Sequence, residues 1–377
     1  MPPPRKTREI RISDVVIGGS QPVLLQSMCA TKTTDVAVTA QMATVLAEAG
    51  AGLVRVAVDT KRDAEALREI AAQTPARLSV DLHENHKLAE CVAPFVKKIR
   101  YNPGHLHHID PEIPWQNKVK RIADIACEHG CALRIGVNCG SLDPAKASLD
   151  DGDIDTMPLL ISTLEHAEFL DSLGFVNYCV SLKSSDPQMV IRANREFARR
   201  RPDVPIHLGL TEAGMPPEAV LKSRAALEPL LAAGIGDTLR VSLTVPNDRK
   251  TEEIEVGRQI LANVAAGDVM TPDRLQLPRL NIISCPSCAR VENGAFVELA
   301  ETIREATLFA ADFPLNIAIM GCRVNGPGET DKADLGIWCG ATQTNLKCGK
   351  TLIGTFDYDQ IVPRLIEELR RLMNGNR

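Results

Sequence analysis

From about residue 23 to 265 one pattern repeats along the chain. A short run of β-branched and apolar residues gives way to a longer Ala/Leu/Glu-rich segment whose apolar positions fall three or four apart. The short runs have the signature of strands and the longer ones that of helices. Eight strand segments follow, at 23–28, 53–58, 77–82, 97–102, 132–138, 177–183, 205–211 and 238–244. Helical segments are predicted at 35–49, 62–72, 117–128, 157–173, 187–200, 217–232 and 251–262, with a shorter stretch near 87–92. Eight βα units predict an α/β fold with an N-terminal (β/α)8 barrel over residues 1–265, its active site at the C-terminal strand ends. A doubly wound open sheet would alternate in the same way, but no Gly-x-Gly-x-x-Gly follows the first strand segment. Residues 266–280, with Gly267, Pro272 and Pro278, read as a linker. Residues 281–377 read as a smaller α/β unit, with strands at 281–284, 315–320, 333–338 and 351–356 and helices at 295–310 and 360–373.

Side chains on a strand alternate faces with period two. One face of the barrel segments carries Arg55 with Asp59, Asp81 with His83, Arg100 with Asn102, Arg134 with Asn138, Ser181 with Lys183, His207 with Thr211, and Arg240 with Ser242. The other face is mainly apolar, as in Ile99, Ile135, Leu182, Leu208 and Val241. The apolar set suits contact with the helices, so the polar set points into the barrel. Five cations, Arg55, Arg100, Arg134, Lys183 and Arg240, then converge there. Few inward acids balance them, and Arg forks match phosphate oxygens, so a ligand with one or two phosphates is the expected guest. Glu212 follows the seventh strand segment and faces this pocket as a candidate acid/base. A helix-terminal charge is the structural alternative. Asp81 and His83 lack a third metal ligand and read as a hydrogen-bonded wall. His105, His107 and His108 read as a solvated triple.

Composition narrows the function. Hydrophobic residues make up 44% and charged residues 24%, ordinary for a globular enzyme. Aromatics are only 3%, too few for a base-stacking surface, and the net charge of −5 argues against a general polyanion binder. No apolar run is long enough to span a bilayer, and the basic start, Met1 to Arg8, has no apolar core after it. It reads as a frayed arm, and the chain as a cytoplasmic protein with no membrane or nucleic-acid partner.

Eleven cysteines suggest metal binding. Cys29, Cys91, Cys127, Cys131, Cys139 and Cys179 are scattered through apolar stretches and read as small buried hydrophobes. Cys285-Pro-Ser-Cys288 differs, because a C-x2-C pair turns two thiolates to one face of a tight loop. Cys322 precedes a Gly326-Pro-Gly328 turn that lets it reach the same point. Three soft ligands are the usual hold on an iron–sulfur cluster, here without a fourth cysteine in the motif.

These residues together resemble the 4-hydroxy-3-methylbut-2-enyl diphosphate synthases of the non-mevalonate isoprenoid pathway. The resemblance runs nearly end to end. It is carried by Gln26-Ser-Met28, Lys98-Ile-Arg-Tyr-Asn-Pro-Gly104, Arg134-Ile-Gly-Val-Asn138, Ser181-Leu-Lys-Ser-Ser185, the Leu-Thr-Glu-Ala-Gly run ending at Gly214, and Cys322-x-Val-Asn-Gly-Pro-Gly-Glu329. It implies that the barrel binds 2-C-methyl-D-erythritol 2,4-cyclodiphosphate through Arg55, His83, Arg100, Asn102, Arg134, Asn138, Ser181, Lys183, His207, Thr211, Arg240 and Ser242. It implies one [4Fe–4S] cluster on Cys285, Cys288, Cys322 and Glu329, in a small domain similar to modules of sulfite and nitrite reductases. Glu212 and Glu329 would be catalytic, and the reaction a reductive ring opening and dehydroxylation fed by reduced ferredoxin or flavodoxin. A homodimer is implied, each cluster domain capping the partner barrel. With no large insert, the chain resembles the short two-domain form. The segments 82–87 and 104–108 and the tail 338–348 depart from the commoner wording.

Two other readings stand beside it. One is a barrel lyase on a phosphorylated substrate with a structural zinc in the small domain. The other is a non-catalytic iron-sensing module, against which the polar barrel interior argues, since a scaffold would fill it with apolar layers.

Overall fold

A computed structural model describes residues 5–147, 153, 157–322 and 324–375. The first four residues of the basic arm, and Arg323 inside the third-cysteine motif, lie outside the described residues. From residue 5 onward the arm is tied down, contrary to the expectation of fraying. Arg5 donates to the Val204 carbonyl at 2.6 Å, Thr7 donates to Asp237 at 2.9 Å, and the Arg8 guanidinium lies 4.3 Å over the Tyr178 ring. The arm leads into a hairpin of β1 (Ile10–Ile12) and β2 (Val15–Ile17). Ile10, Ile12 and Ile17 pack on Leu53, Ala132 and Cys179 and so close the N-terminal end of the barrel.

The barrel strands are β3 (Leu24–Met28), β4 (Leu53–Ala57), β5 (Leu78–His83), β6 (Lys98–Tyr101), β7 (Ala132–Asn138), β8 (Tyr178–Lys183), β9 (His207–Leu208) and β10 (Thr238–Leu239). All pairings are parallel, β10 returns to β3, and a Val180–Ile206 bridge joins β8 to the β9 edge. The predicted α/β class and eight-stranded barrel are therefore present. The last two strands are much shorter than predicted, because their later backbone groups bond elsewhere. Leu243 N–H donates to Glu253 at 3.0 Å and Thr244 N–H to the Gly214 carbonyl at 2.9 Å. The stretch near 87–92 is helical, as a 3-10 turn at His86–Leu88 and a helix at Ala89–Val92.

Helix boundaries follow local chemistry. Thr60 accepts from Asp63 N–H while Asp63 accepts from Thr60 N–H, a reciprocal cap that starts the helix Lys61–Gln73. Asp186 caps Pro187–Arg200 through Gln188 N–H at 2.8 Å. Val54, Val80, Ile99, Ile135 and Leu182 of the strands are buried against Leu46, Leu67, Ile122, Leu160 and Phe197 of the helices. Each such side chain stabilises by about 1.5–3 kcal/mol. Cys29, Cys131 and Cys179 are buried and Cys139 partly so; Cys91 and Cys127 are exposed, because they lie on the outer faces of their helices.

The second unit has one five-stranded sheet in the order β11 (Asn281–Ser284), β12 (Asn316–Met320), β13 (Leu335–Cys339), β14 (Gln343–Cys348) and β15 (Thr351–Asp357). The first three strands run parallel and the last two antiparallel. Strand β14 was not predicted: in Gln-Thr-Asn-Leu-Lys-Cys only Thr344 and Leu346 are buried, so it carries almost no apolar signal. Helices Phe296–Ala306 and Ile361–Gly375 cover the sheet through Leu299, Ile303, Leu365 and Leu369. The expected Gly-Pro-Gly turn is a short helix, Gly326–Thr330. Among the described residues no helix is long and apolar enough to cross a membrane.

Candidate active site

The parity of the barrel strands places all five cations on the inner face, each no more than 7% exposed. Asp81 takes part of the charge: Arg100 donates to it at 2.9 Å and Arg55 lies 3.8 Å away. Arg240 lies 3.8 Å from Glu253. The balance remains cationic. Lys183 makes no hydrogen bond or ion pair among the described residues, and Arg134 Nε and Nη1 are buried without a hydrogen-bond partner. Burial, then Arg134, Arg240, Arg55 and Arg100, drives the Lys183 ammonium well below its ordinary pKa. Burial and Arg100 lower Arg134 to about 10. Two inward glycines make room for these heads. A Cβ on Gly209 would lie 2.3 Å from Lys183 Nζ, and one on Gly136 2.2 Å from Arg100 Nε. Buried like charges with unused donors are an arrangement that an anion completes.

The second unit covers this ring. It sits on the mouth of its own barrel, whereas the expected arrangement had it on a partner's. Ser284 bridges to Ala213, and Thr244 donates to the Cys285 carbonyl at 2.9 Å. Lys250 donates to the Pro286 carbonyl and Lys32 to that of Val291. Arg290 clasps Asp59 with Nη2 at 2.6 Å and Nε at 2.8 Å, and reaches the Asp81 carbonyl at 3.2 Å. Gly328 approaches Gly140 so closely that a Cβ on it would meet the Gly140 carbonyl at 2.2 Å.

This seating puts Cys285, Cys288 and Cys322 in the same cavity as the cations. Burial, together with Glu212 and Cys288, pushes the Cys285 thiol up to about 12. Cys322 is raised further by burial, Cys288 and Cys285. Gly321 N–H points at Cys285 Sγ at 3.4 Å. A single tetrahedral zinc with bonds of about 2.3 Å needs its sulfurs about 3.8 Å apart. Among the described residues, three ligating atoms come within 4.8 Å of one another at His83, Glu84 and His105, not at these cysteines. At least one pair of these sulfurs therefore lies more than 4.8 Å apart, farther than one zinc ion spans.

Backbone strain marks the same place. Of five non-glycine residues with positive φ among the described residues, three line the cavity: His83 (55°), Glu212 (49°) and Ser287 (66°). Such strain persists only where surrounding contacts impose it. Asn325 donates to Glu212 Oε1 at 2.9 Å, and Oε2 is buried without a partner. Burial, with Glu329 adding, raises the Glu212 carboxyl to about 7. A larger cavity of about 680 Å³ lies alongside, walled by Met215, Leu275, Leu277 and Leu280 and touching Glu329. It is mainly apolar and holds neither the cation ring nor the cysteines.

Residues 7–258 match the family model described as the GcpE TIM-barrel domain, and residues 281–371 match that of the GcpE protein C-terminal domain. The chain belongs to the GcpE family. A 4-hydroxy-3-methylbut-2-en-1-yl diphosphate synthase (flavodoxin) of Rhodopirellula baltica is 55% identical over 97% of this chain and 96% of its own. Synthases of the same name from Acidothermus cellulolyticus and Renibacterium salmoninarum are 38% and 39% identical, each over 98% of this chain and 89% of its own. The resemblance drawn from the sequence motifs thus names the right family.

Within this GcpE fold the cavity gathers the five cations, His83, Asn138, Ser181, Thr211, Glu212, Ser242 and the three cysteines. Three predicted residues stand outside it. Asn102 holds the rim, donating to Ser141 at 2.9 Å and accepting from Gly104 N–H at 3.2 Å. His207 lies deeper in the barrel, with Nδ1 2.6 Å from Thr238 Oγ1. Glu329 is buried at the edge, accepting from Ser185 at 3.3 Å, and makes no surface pair with Lys332, which donates to the Cys139 carbonyl instead. The sequence reading passed over Arg290, Asn325 and Ser287. Arg290 offered one signal, a cation two residues after Cys288. Arg290→Ala is expected to loosen the seating of the small unit by roughly 1–3 kcal/mol. Faster amide exchange over residues 285–291 would register it, and unchanged exchange would show the Asp59 clasp to be idle.

Proposed function

We propose that the chain carries out the reductive ring opening and dehydroxylation of 2-C-methyl-D-erythritol 2,4-cyclodiphosphate to (E)-4-hydroxy-3-methylbut-2-enyl diphosphate, a step in isoprenoid precursor formation. One observation carries the reading: a buried ring of cations with unused donors faces three cysteines across a single cavity. Arg100, Arg134 and Lys183 bind the two phosphates, and Arg55 and Arg240 add to the field. His83, Asn138, Ser181, Thr211 and Ser242 orient the rest of the substrate, with Asn102 and His207 supporting the wall. Glu212, whose carboxyl burial raises to about 7, delivers a proton to the departing oxygen. Asn325 holds that carboxyl in place.

Cys285, Cys288 and Cys322 would hold one [4Fe–4S] cluster, with Glu329 as the fourth and more labile ligand. The donor set fits, because Cys285 and Cys322, both buried and raised in pKa by burial and by neighbouring cysteines, can be thiolates beside Cys288 only around a cation. Such a cluster supplies single electrons and a Lewis-acidic iron. The buried Glu329 carboxyl would have to turn from Ser185 to join it. The small unit is read as a module of the sulfite and nitrite reductase kind. Its electrons come from reduced flavodoxin, the donor in the relatives' names, or from ferredoxin. We read the chain as a cytoplasmic homodimer. Exchanging the small units between two copies, across the connection at 267–279, would keep every contact described above, with the partner's unit capping each barrel.

Anaerobically prepared protein should contain about four iron and four sulfide per chain and convert the cyclodiphosphate with reduced flavodoxin. Zinc without sulfide, and no turnover, would overturn the reading. Lys183→Met separates substrate binding from folding. It removes an unpartnered buried cation, so the ligand-free protein should melt no lower than the parent. Affinity for the cyclodiphosphate should fall by roughly 1–3 kcal/mol in calorimetry. A lower melting point with unchanged affinity would make Lys183 structural.

A further inference from the structure

The end of β5 and the loop after β6 meet at a cluster of which the proposed reaction uses only His83. We propose that His83, Glu84 and His105 form a binding site for a divalent metal of the zinc class at the barrel mouth. Their ligating atoms lie within 4.8 Å of one another. His83 Nδ1 and His105 Nδ1 are 3.3 Å apart, and Glu84 Oε2 is 3.8 Å from His105 Nδ1. Bonds of 2.0–2.1 Å in a tetrahedron set neighbouring ligand atoms about 3.3 Å apart, so the two nitrogens already stand at that spacing. Two imidazoles and one carboxylate suit zinc, cobalt or nickel, whereas magnesium and calcium prefer oxygen alone.

The surroundings prepare the ligands. His108 Nδ1 lies 2.6 Å from the same Glu84 oxygen and holds the carboxylate in place, as outer partners of metal ligands do. His83 is buried and His105 only 12% exposed at its side chain, so both rings are largely shielded from water. Burial first, then His108 and Arg100, lowers His105 to about 3, and burial with Arg290 and Arg100 holds His83 well below its ordinary pKa. Both rings are therefore neutral at physiological pH, the form that ligates. Arg100 and Arg290 oppose a cation here; Glu84 and Asp81 offset them. The strained backbone of His83 is fixed by Asp81, which accepts from His83 N–H at 3.1 Å. The solvated triple expected from the sequence is thus divided: His105 packs inward on His83, with ring centroids 4.5 Å apart, and His107 and His108 stay outside.

A metal on Nδ1 fixes the proton of His83 on Nε2. That nitrogen lies 3.5 Å from Asn102 Nδ2, so the proton meets the Asn102 amide at the rim. The metal site does not rest on the diphosphate reading.

The test uses the full chain, prepared anaerobically with its iron, titrated with Zn2+ alone and separately with Co2+ alone. The parent should retain about one zinc per chain after gel filtration and give tetrahedral Co2+ absorption bands in the visible. His105→Ala should lose both while keeping its iron. Should that variant fold poorly, the isosteric Glu84→Gln reports on the same site. His108→Ala should bind zinc about 10–100-fold more weakly. A parent that holds no zinc at micromolar concentration, or a His105→Ala chain that binds as tightly, would overturn the proposal. The difference between parent and variant isolates this site whatever metal the cysteines hold, so its failure leaves the reaction assigned above untouched.

Discussion

Cys322→Ser is expected to lose most of the bound iron and to abolish measurable turnover. Cys322 is 8% exposed and shares its cavity with Cys285 and Cys288. Its thiol is held well above the ordinary range by burial and by the two other cysteines. A bound cation relieves that repulsion by drawing all three into the thiolate form. A serine hydroxyl is harder and far less acidic, so it cannot replace the sulfur. Cys339→Ser is the control, since Cys339 is buried in the core of the small unit and does not line the cavity. Iron and sulfide analysis beside a turnover assay would show the contrast. Full iron content in Cys322→Ser would remove this cysteine from the ligand set.

Glu212→Gln should reduce turnover by about two orders of magnitude or more while leaving cyclodiphosphate affinity nearly intact. The amide keeps the shape and can still accept from Asn325, but has no proton to give. The pH dependence provides a second reading. Burial, with Glu329 adding, raises this carboxyl from an ordinary 4.5 to about 7. The acid form is therefore present below pH 7, and turnover should decline as pH rises through that value. The stability term runs the same way. Between about 4.5 and 7 the folded chain holds a proton that the unfolded chain has lost. The favourable contribution is complete below 4.5 and disappears as pH rises through 7. Glu212→Gln should lack both effects. An unchanged alkaline limb in the variant would return Glu212 to a helix-terminus role.

How much of this was legible in the sequence depended on the range of the interaction. The inward placement of Arg55, Arg100, Arg134, Lys183 and Arg240 needed only the two-residue period of a strand and the contrast with Ile99, Ile135 and Leu182. The C-x2-C pair and the Gly-Pro-Gly segment were visible because few residues separate their parts. The lengths of β9 and β10 were not, since their later backbone groups bond to Glu253 and Gly214 instead of a neighbouring strand. Strand β14 was hidden because only two of its side chains are buried.

The site itself was half legible. The sequence determined the barrel, the cationic inner face and the three sulfurs, because each follows from local covalent geometry or from one short motif. Only the tertiary structure decided that these belong to one cavity. Arg290 meets Asp59 across 231 positions, and Asn325 meets Glu212 across 113. His105 meets His83 because β5 and β6 run parallel and end side by side. No periodicity encodes such contacts. The first two arise where the two units bury their facing surfaces and the third between neighbouring strand ends of the barrel, and the cavity brings together the cations and thiols that each unit alone leaves apart.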